Sequence, residues 1–204
     1  MKKAVFFSAM IFILSAFVFG QNGAQNNSSC TGETVQKISS RGIKIGAEMN
    51  DVINLFAETE SEKQVIQKAV RDFGVEYKSL NFGLDGKLRQ PNERFEGISD
   101  YNFNFLDNRL SGFYVSYTKP VWDNTAQFTA KMAEIFNLPD LKNWETFQEN
   151  GLTLKYGNYK IITQTDGGRS SFNIDDNRIG DILRERKRKA DAEQREKDLK
   201  TFKP

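Results

Sequence analysis

Five cations fall within six consecutive residues near the end of this 204-residue chain, Arg184-Glu185-Arg186-Lys187-Arg188-Lys189. On a helix that run occupies less than two turns. Arg184, Arg186, Lys187, Arg188 and Lys189 would form an electrostatic handle for anionic lipid, nucleic acid or an acidic partner. The wider stretch from Asp175 to Pro204 carries 10 basic and 8 acidic residues, so it is highly charged and close to neutral. Pairs four apart, such as Glu185 with Lys189 and Glu193 with Lys197, would hold a solvated helix without any ligand. That pairing accounts for much of the pattern; the handle is the alternative reading.

Elsewhere the residue types exclude more chemistry than they suggest. The chain has no histidine, which removes Ser-His-Asp and Cys-His nucleophile systems, HExxH zinc sites and histidine pH switches. Its single cysteine, Cys30, can form neither an internal disulfide nor a cysteine-rich metal site. Acids recur at turn signals, in Asp85-Gly86 and Asp107-Asn108, where aspartate is favoured for local backbone reasons, and Asp175-Asp176 stands just ahead of the last helix, where acids suit the helix dipole and cap its end. Asp166-Gly167-Gly168-Arg169 is glycine-rich but lacks the Lys-Ser/Thr pair and the helix of a phosphate loop. No stretch has calcium-loop spacing. No catalytic, cofactor-binding or metal-ligating residue is therefore assigned, and no enzyme activity is expected.

The aromatic content, 17 Phe, 6 Tyr and 2 Trp, raises another possibility. Alternating rings in Tyr101–Phe105 and Phe113–Tyr117 could stack single-stranded nucleic acid or glycan. Such platforms interleave their rings with Lys or Arg. Asn and Ser stand in those places here, which favours core packing.

These residues must be positioned by elements that the periodicity delineates. Ile43 and Ile45 alternate as a strand, and Gly46 breaks it. Met49, Val52, Ile53 and Phe56 follow at helical spacing. A second helix is expected from about Ser61, with Val65, Ile66, Ala69, Val70 and Phe73 on one face and Gly74 as its stop. Leu80, Phe82 and Leu84 alternate into Asp85-Gly86, and residues 87–96 read as a loop. Residues 101–118 form the clearest hairpin, turning at Asp107-Asn108. A regular ladder through it would put Phe113, Val115 and Tyr117 on the face of Asn102 and Asn104, so a bulge is expected at Ser111-Gly112. A third helix runs from Asn124 to Asn137, burying Phe128, Met132, Ile135 and Phe136, with Trp122 and Trp144 at its ends. Three short strands follow, over 152–156, 159–165 and 169–174. The order is ααβββ then αβββ with a charged C-terminal helix: an α+β class, helices packed on an antiparallel sheet. The two halves match poorly residue by residue, so they are at most an architectural echo.

Ahead of this lies an apparatus for export. Lys2 and Lys3 precede an apolar run to Phe19, and Val18-Phe19-Gly20 offers a cleavage site. Loss of residues 1–20 would leave equal numbers of acids and bases, with no global pull toward nucleic acid or membrane. The expected organisation is a signal peptide over 1–20, a flexible leader over 21–38, an α+β domain over 39–176 and a charged helix over 177–204. Cys30 reads as an unpaired thiol within the leader.

The segment Ile43–Phe56 (IKIGAEMNDVINLF), together with the later Phe105-Leu106-Asp107-Asn108-Arg109-Leu110, resembles the opening and hairpin signatures of exported α+β modules. These include the β-lactamase-inhibitor-protein-like domains and the SmpA/OmlA small outer-membrane lipoproteins. The resemblance covers roughly residues 41–118 and implies a strand and glycine leading into paired helices on an antiparallel sheet. It also implies a non-catalytic binding or assembly module. The expectation is an exported, periplasmic or extracellular protein that binds another secreted or envelope protein through its sheet face or tail. No nucleic acid partner and no cofactor are expected, and any anionic-surface contact would run through the last helix. The alternatives are a small secreted carboxylate-dependent hydrolase and a surface tether acting through the basic cluster.

Overall fold

The computed structural model describes residues 38–83 and 95–202. The expected signal peptide, the expected leader with Cys30 except for its last residue, Ile38, which is buried in the core, and the expected Asp85-Gly86 turn lie outside the described residues.

A small hairpin opens the fold. Strands β1 (Ser39–Ser40) and β2 (Ile43–Lys44) pair across Arg41 and Gly42, both with positive φ. Gly46 then turns the chain at φ 84° into α1 (Met49–Asn54). This entry is zipped onto the main sheet: Gly46 N–H donates to the Leu110 carbonyl and Leu110 N–H to the Ala47 carbonyl, both at 2.8 Å. Helix α2 (Glu60–Ala69) starts at a reciprocal capping box, in which the Thr59 hydroxyl accepts from Glu62 N–H and the Glu62 carboxylate accepts from Thr59 N–H. Thr59 therefore caps it, not Ser61, which already lies within the first helical turn. The helix also ends before Gly74. Its expected apolar face narrows to Ile66, which is buried, while Val65 and Phe73 are exposed. Arg71–Asp72 has already become a strand, β3.

Seven further strands complete one antiparallel sheet: β4 (Tyr77–Gly83), β5 (Ile98–Leu106), β6 (Arg109–Tyr117), β7 (Glu145–Phe147), β8 (Gly151–Tyr156), β9 (Tyr159–Asp166) and β10 (Arg169–Asp176). Their spatial order is β3-β4-β5-β6-β10-β9-β8-β7. Two four-stranded meanders thus meet at their last strands. A half-turn about an axis between β6 and β10 exchanges β5 with β9, β4 with β8 and β3 with β7. The helical material, α1 and α2 in the first half and α3 (Thr125–Phe136) in the second, precedes each meander. The protein is α+β, as its sequence implies; the expected ααβββ and αβββ each gain one outer-edge strand.

Both helical groups lie on one side of the sheet. Phe56, just after α1, stacks on Phe82 and Phe95 with ring centroids 4.0 and 4.6 Å away, and meets Tyr101 and Phe103 at steeper angles. In the second half Phe136 packs on Phe172 and Phe128 on Tyr117. The buried Thr129 hydroxyl of α3 donates to the Thr125 carbonyl and lies 2.6 Å from the Thr163 hydroxyl of β9. This satisfies polar atoms that burial would otherwise penalise. Asn124 caps α3 by accepting from Gln127 N–H, and Asn137 ends it in the left-handed conformation. Trp122 packs on Phe128, and the Trp144 indole donates to the Pro139 carbonyl. Ile135, expected inside, is exposed; α3 buries the narrower stripe of Phe128, Thr129, Met132 and Ala133.

The expected bulge is present. Phe105 pairs with Leu110 and Asn104 with Gly112, leaving Ser111 as the extra residue, its hydroxyl donating to the Asn104 carbonyl at 3.0 Å. Phe113 and Val115 are thereby restored to the core. A second bulge sits at Ser99, between the pairs Ile98–Tyr117 and Asp100–Ser116. There too the serine hydroxyl donates to the opposing strand, at the Ser116 carbonyl. Two kinks on one hairpin bend and twist the middle of the sheet.

The chain closes in α4 (Ile179–Thr201). Ile179, Ile182, Leu183 and Arg186 are partly buried, and every described residue after Arg186 is exposed. No described helix is long and apolar enough to cross a membrane.

Candidate functional site

Strict alternation along each strand fixes what the sheet presents on the side away from α1, α2 and α3. Three rows run across six strands, from β4 to β8. The central row is Asn81, Asn102, Tyr114, Asn173, Ile162 and Thr153, each paired with the next through the strand register. It contains no charge. On one side runs Gly83, Asp100, Ser116, Ser171, Gln164 and Gly151, with Asp100 its sole ionisable residue. On the other runs Ser79, Asn104, Gly112, Asp175, Lys160 and Lys155.

The acids on this face lie low. Asp175 accepts from the Asn173 amide at 2.6 Å, and a Cβ at Gly112 would come within 2.5 Å of its Oδ1. Asp100 lies likewise over Gly83. The Tyr77 hydroxyl, on the same face, has its pKa pushed up by burial and then by the charge of Asp175. Tyr114, 36% exposed, is the large aromatic at the middle of the face. Tyr101, Phe103, Phe105 and Phe113 are buried in the core instead.

At one end the face deepens into a cleft of about 520 Å³. Tyr114, Ser116, Ser171 and Gln164 form its floor; Asp100 stands on one wall and the β7–β8 turn, Gln148 to Asn150, on the other. That turn is braced from outside, since its Asn150 carbonyl accepts from the Thr125 hydroxyl at the start of α3. Asp166 and Arg169 of the β9–β10 turn close the end. Among the described residues no three of His, Cys, Asp and Glu are grouped so as to hold a metal ion.

The basic cluster on α4 is divided in use. Arg186 reaches back to the body of the protein, donating to both carboxylate oxygens of Asp107 at 2.7 Å and to the Val75 carbonyl at 3.1 Å. The hydrogen bond from Arg186 holds the Asp107 carboxyl below its ordinary pKa, and Asp107 raises that of Arg186. Lys189 pairs with Glu185 at 2.8 Å, and Arg184 pairs with Asp181. Lys187 and Arg188 make no ion pair among the described residues. Farther along, Lys200 pairs with Glu196; Glu193 and Lys197 do not form the bridge their spacing suggested.

Strand periodicity separates core from solvent phases, and the expectation of binding through the sheet face named none of the residues on it. The signal lay in its composition: Asn81, Asn102, Asn104 and Asn173 occupy places where ordinary exposed strands carry Thr, Lys or Glu, and asparagine is a poor strand former.

No family model matches the chain, and no curated protein matches it. A solved structure, that of a cysteine-rich secretory protein from Staphylococcus aureus subsp. aureus Mu50, is similar over 68% of this chain at 15% identity, with a TM-score of 0.36. The aligned region spans 46% of that protein, so this chain matches less than half of its length.

Proposed function

We propose that the protein is an exported, non-enzymatic module that binds another secreted or envelope protein through the uncovered face of its sheet. The central row from Asn81 to Thr153, six strands wide and uncharged, carries this reading. The cores of protein interfaces are depleted in charge and built around aromatic anchors. Asn, Ser and Tyr lose little rotamer freedom on contact while offering both hydrogen-bond donors and acceptors, which is why adaptable paratopes use them. A patch of six strands by six residues covers roughly 500 Å² at ordinary strand spacings. The turns at its ends bring that close to the roughly 800 Å² per partner of a standard interface. The apolar run behind Lys2 and Lys3 supports export, and the strand–glycine–paired-helix opening on an antiparallel sheet is in keeping with the exported modules that Ile43–Phe56 resembles.

Arginine placed in the central row tests the reading. The double variant Asn102→Arg, Asn173→Arg should fold normally, since both side chains are partly exposed on the uncovered face and a longer chain can extend into solvent, and should lose at least about a hundredfold in affinity for the partner recovered from the native envelope. Neutralising the unpaired cations of the basic cluster, in Lys187→Ala, Arg188→Ala, should leave that affinity unchanged. The opposite pattern would transfer the function to the basic cluster of α4.

A further inference from the structure

We infer that the cleft at the Asp100 end of the sheet is a binding site for a neutral, polyhydroxylated ligand, a saccharide. The site adds to the protein-binding reading and does not require it. Its lining holds both signs of charge without pairing them. Asp100, Glu149, Asp166 and Arg169 line one cavity of about 520 Å³, yet none makes an ion pair within 4.0 Å among the described residues. The three carboxylates outnumber the guanidinium and would repel an anion, while a simple cation would leave Arg169 and the amides of the lining unmet. A sugar hydroxyl is donor and acceptor at once, so a ring bearing several can meet carboxylates, amides and a guanidinium together.

Two further features suit such a ring. The floor offers the exposed Tyr114, whose π-face can receive the C–H side of a pyranose, beside the amides of Gln164 and Gln148, which meet each other at 3.3 Å and leave their remaining positions open. Ser116, also on the floor, is only 4% exposed, and its hydroxyl has no hydrogen-bond partner among the described residues. Buried hydroxyls are ordinarily satisfied. Here the open side is the cleft itself, where a ligand hydroxyl would complete it. Apolar ligands are poorly served, since the floor has one ring and otherwise polar atoms.

The mature chain, titrated with soluble gluco-, manno- and chito-oligosaccharides and followed by calorimetry and amide NMR shifts, tests the assignment. At least one series should bind with a dissociation constant of about 1 mM or tighter, shifting amides of Tyr114, Ser116 and Gln164 and sparing α3. Tyr114→Ala and Asp100→Asn should each weaken binding at least about tenfold, while Lys155→Ala at the far corner should not. Tyr114 is 36% exposed and Asp100→Asn is nearly isosteric, so both variants keep the fold, which circular dichroism verifies; Gln164→Ala supplies a third probe. Co-sedimentation with insoluble envelope polysaccharide, released by the same soluble oligosaccharide, would identify a wall glycan as the source; binding to free sugar alone would identify a soluble one. No shift at the cleft with any series at about 10 mM, or binding unaltered in all three variants, would overturn the assignment. Either result would leave the protein-binding reading of the central row standing.

Discussion

Arg186 in α4 and Asp107 in the β5–β6 turn, 79 residues apart, meet as a two-pronged guanidinium–carboxylate pair, with both hydrogen bonds at 2.7 Å. The turn presents the carboxylate because Asp107 and Asn108 both hold positive φ, the geometry of a tight two-residue hairpin. The same guanidinium also donates to the Val75 carbonyl in the β3–β4 turn. Three distant pieces of chain are tied at one corner of the sheet.

Both partners are substantially exposed, so the pair is worth little in isolation. A double-mutant cycle with Arg186→Ala and Asp107→Ala should give a coupling of about 0.5–1 kcal/mol, at the upper end for exposed pairs because the geometry is bidentate. Its pH dependence has a definite sign. Asp107 titrates lower in the folded protein than its ordinary value, so its contribution is complete above about pH 4 and fades as pH falls through the lowered pKa. Hydrogen-exchange protection at Ile182–Arg186, taken relative to the intrinsic rate at each pH, should fall over that acid range in the wild type and be low throughout in Asp107→Asn. Coupling indistinguishable from zero would show that α4 is held by Ile179, Ile182 and Leu183 alone.

Beyond Arg186 the helix has nothing to pack on. Deleting residues 190–204 should change stability by no more than about 0.5 kcal/mol, as for surface changes remote from packed features. Deleting from Asn177 should cost at least about 2 kcal/mol, since three aliphatic side chains lose partial burial. Equal losses in chemical denaturation would mean that the distal helix docks somewhere.

Gly112 is sterically required. A methyl group there would sit 2.5 Å from Asp175 Oδ1 and 2.7 Å from the Ile174 carbonyl oxygen, and the second belongs to the backbone of the central strand pair. Gly112→Ala should destabilise the fold by about 1–3 kcal/mol through forced displacement. Thermal denaturation of the variant beside Gly74→Ala, where a methyl would meet no atom within 4 Å, separates this crowding from the cost of positive φ at Gly74.

The hydrophobic period made much of this fold legible. Phe103, Phe105 and Phe113 could be assigned to one face from spacing, and the phase conflict between Phe105 and Phe113 required a bulge that the structure places at Ser111. Strands β3 and β7 were not legible, because Arg71–Asp72 and Glu145–Phe147 are too short to show a period and are recruited by neighbours already in the sheet. Helix α2 buries less than its apolar residues suggest, with Ile66 inside, Ala69 and Val70 partly covered, and Val65 outside. The candidate site was harder. Asn102 and Asn173 lie 71 residues apart in sequence, and only the β6–β10 junction brings their strands to the two sides of Tyr114. Pattern within a single strand cannot disclose which meanders will join.

Photo-crosslinking from defined positions tests the proposed interface most directly. A benzophenone side chain introduced at Asn102 or at Asn173, on the uncovered face, should join the protein to one discrete envelope or secreted protein in the native host. The same group at Ile135 on the outer side of α3, or at Lys197 in distal α4, should give no such product. Crosslinking at Ile135 or Lys197 with silence at Asn102 and Asn173 would contradict the account.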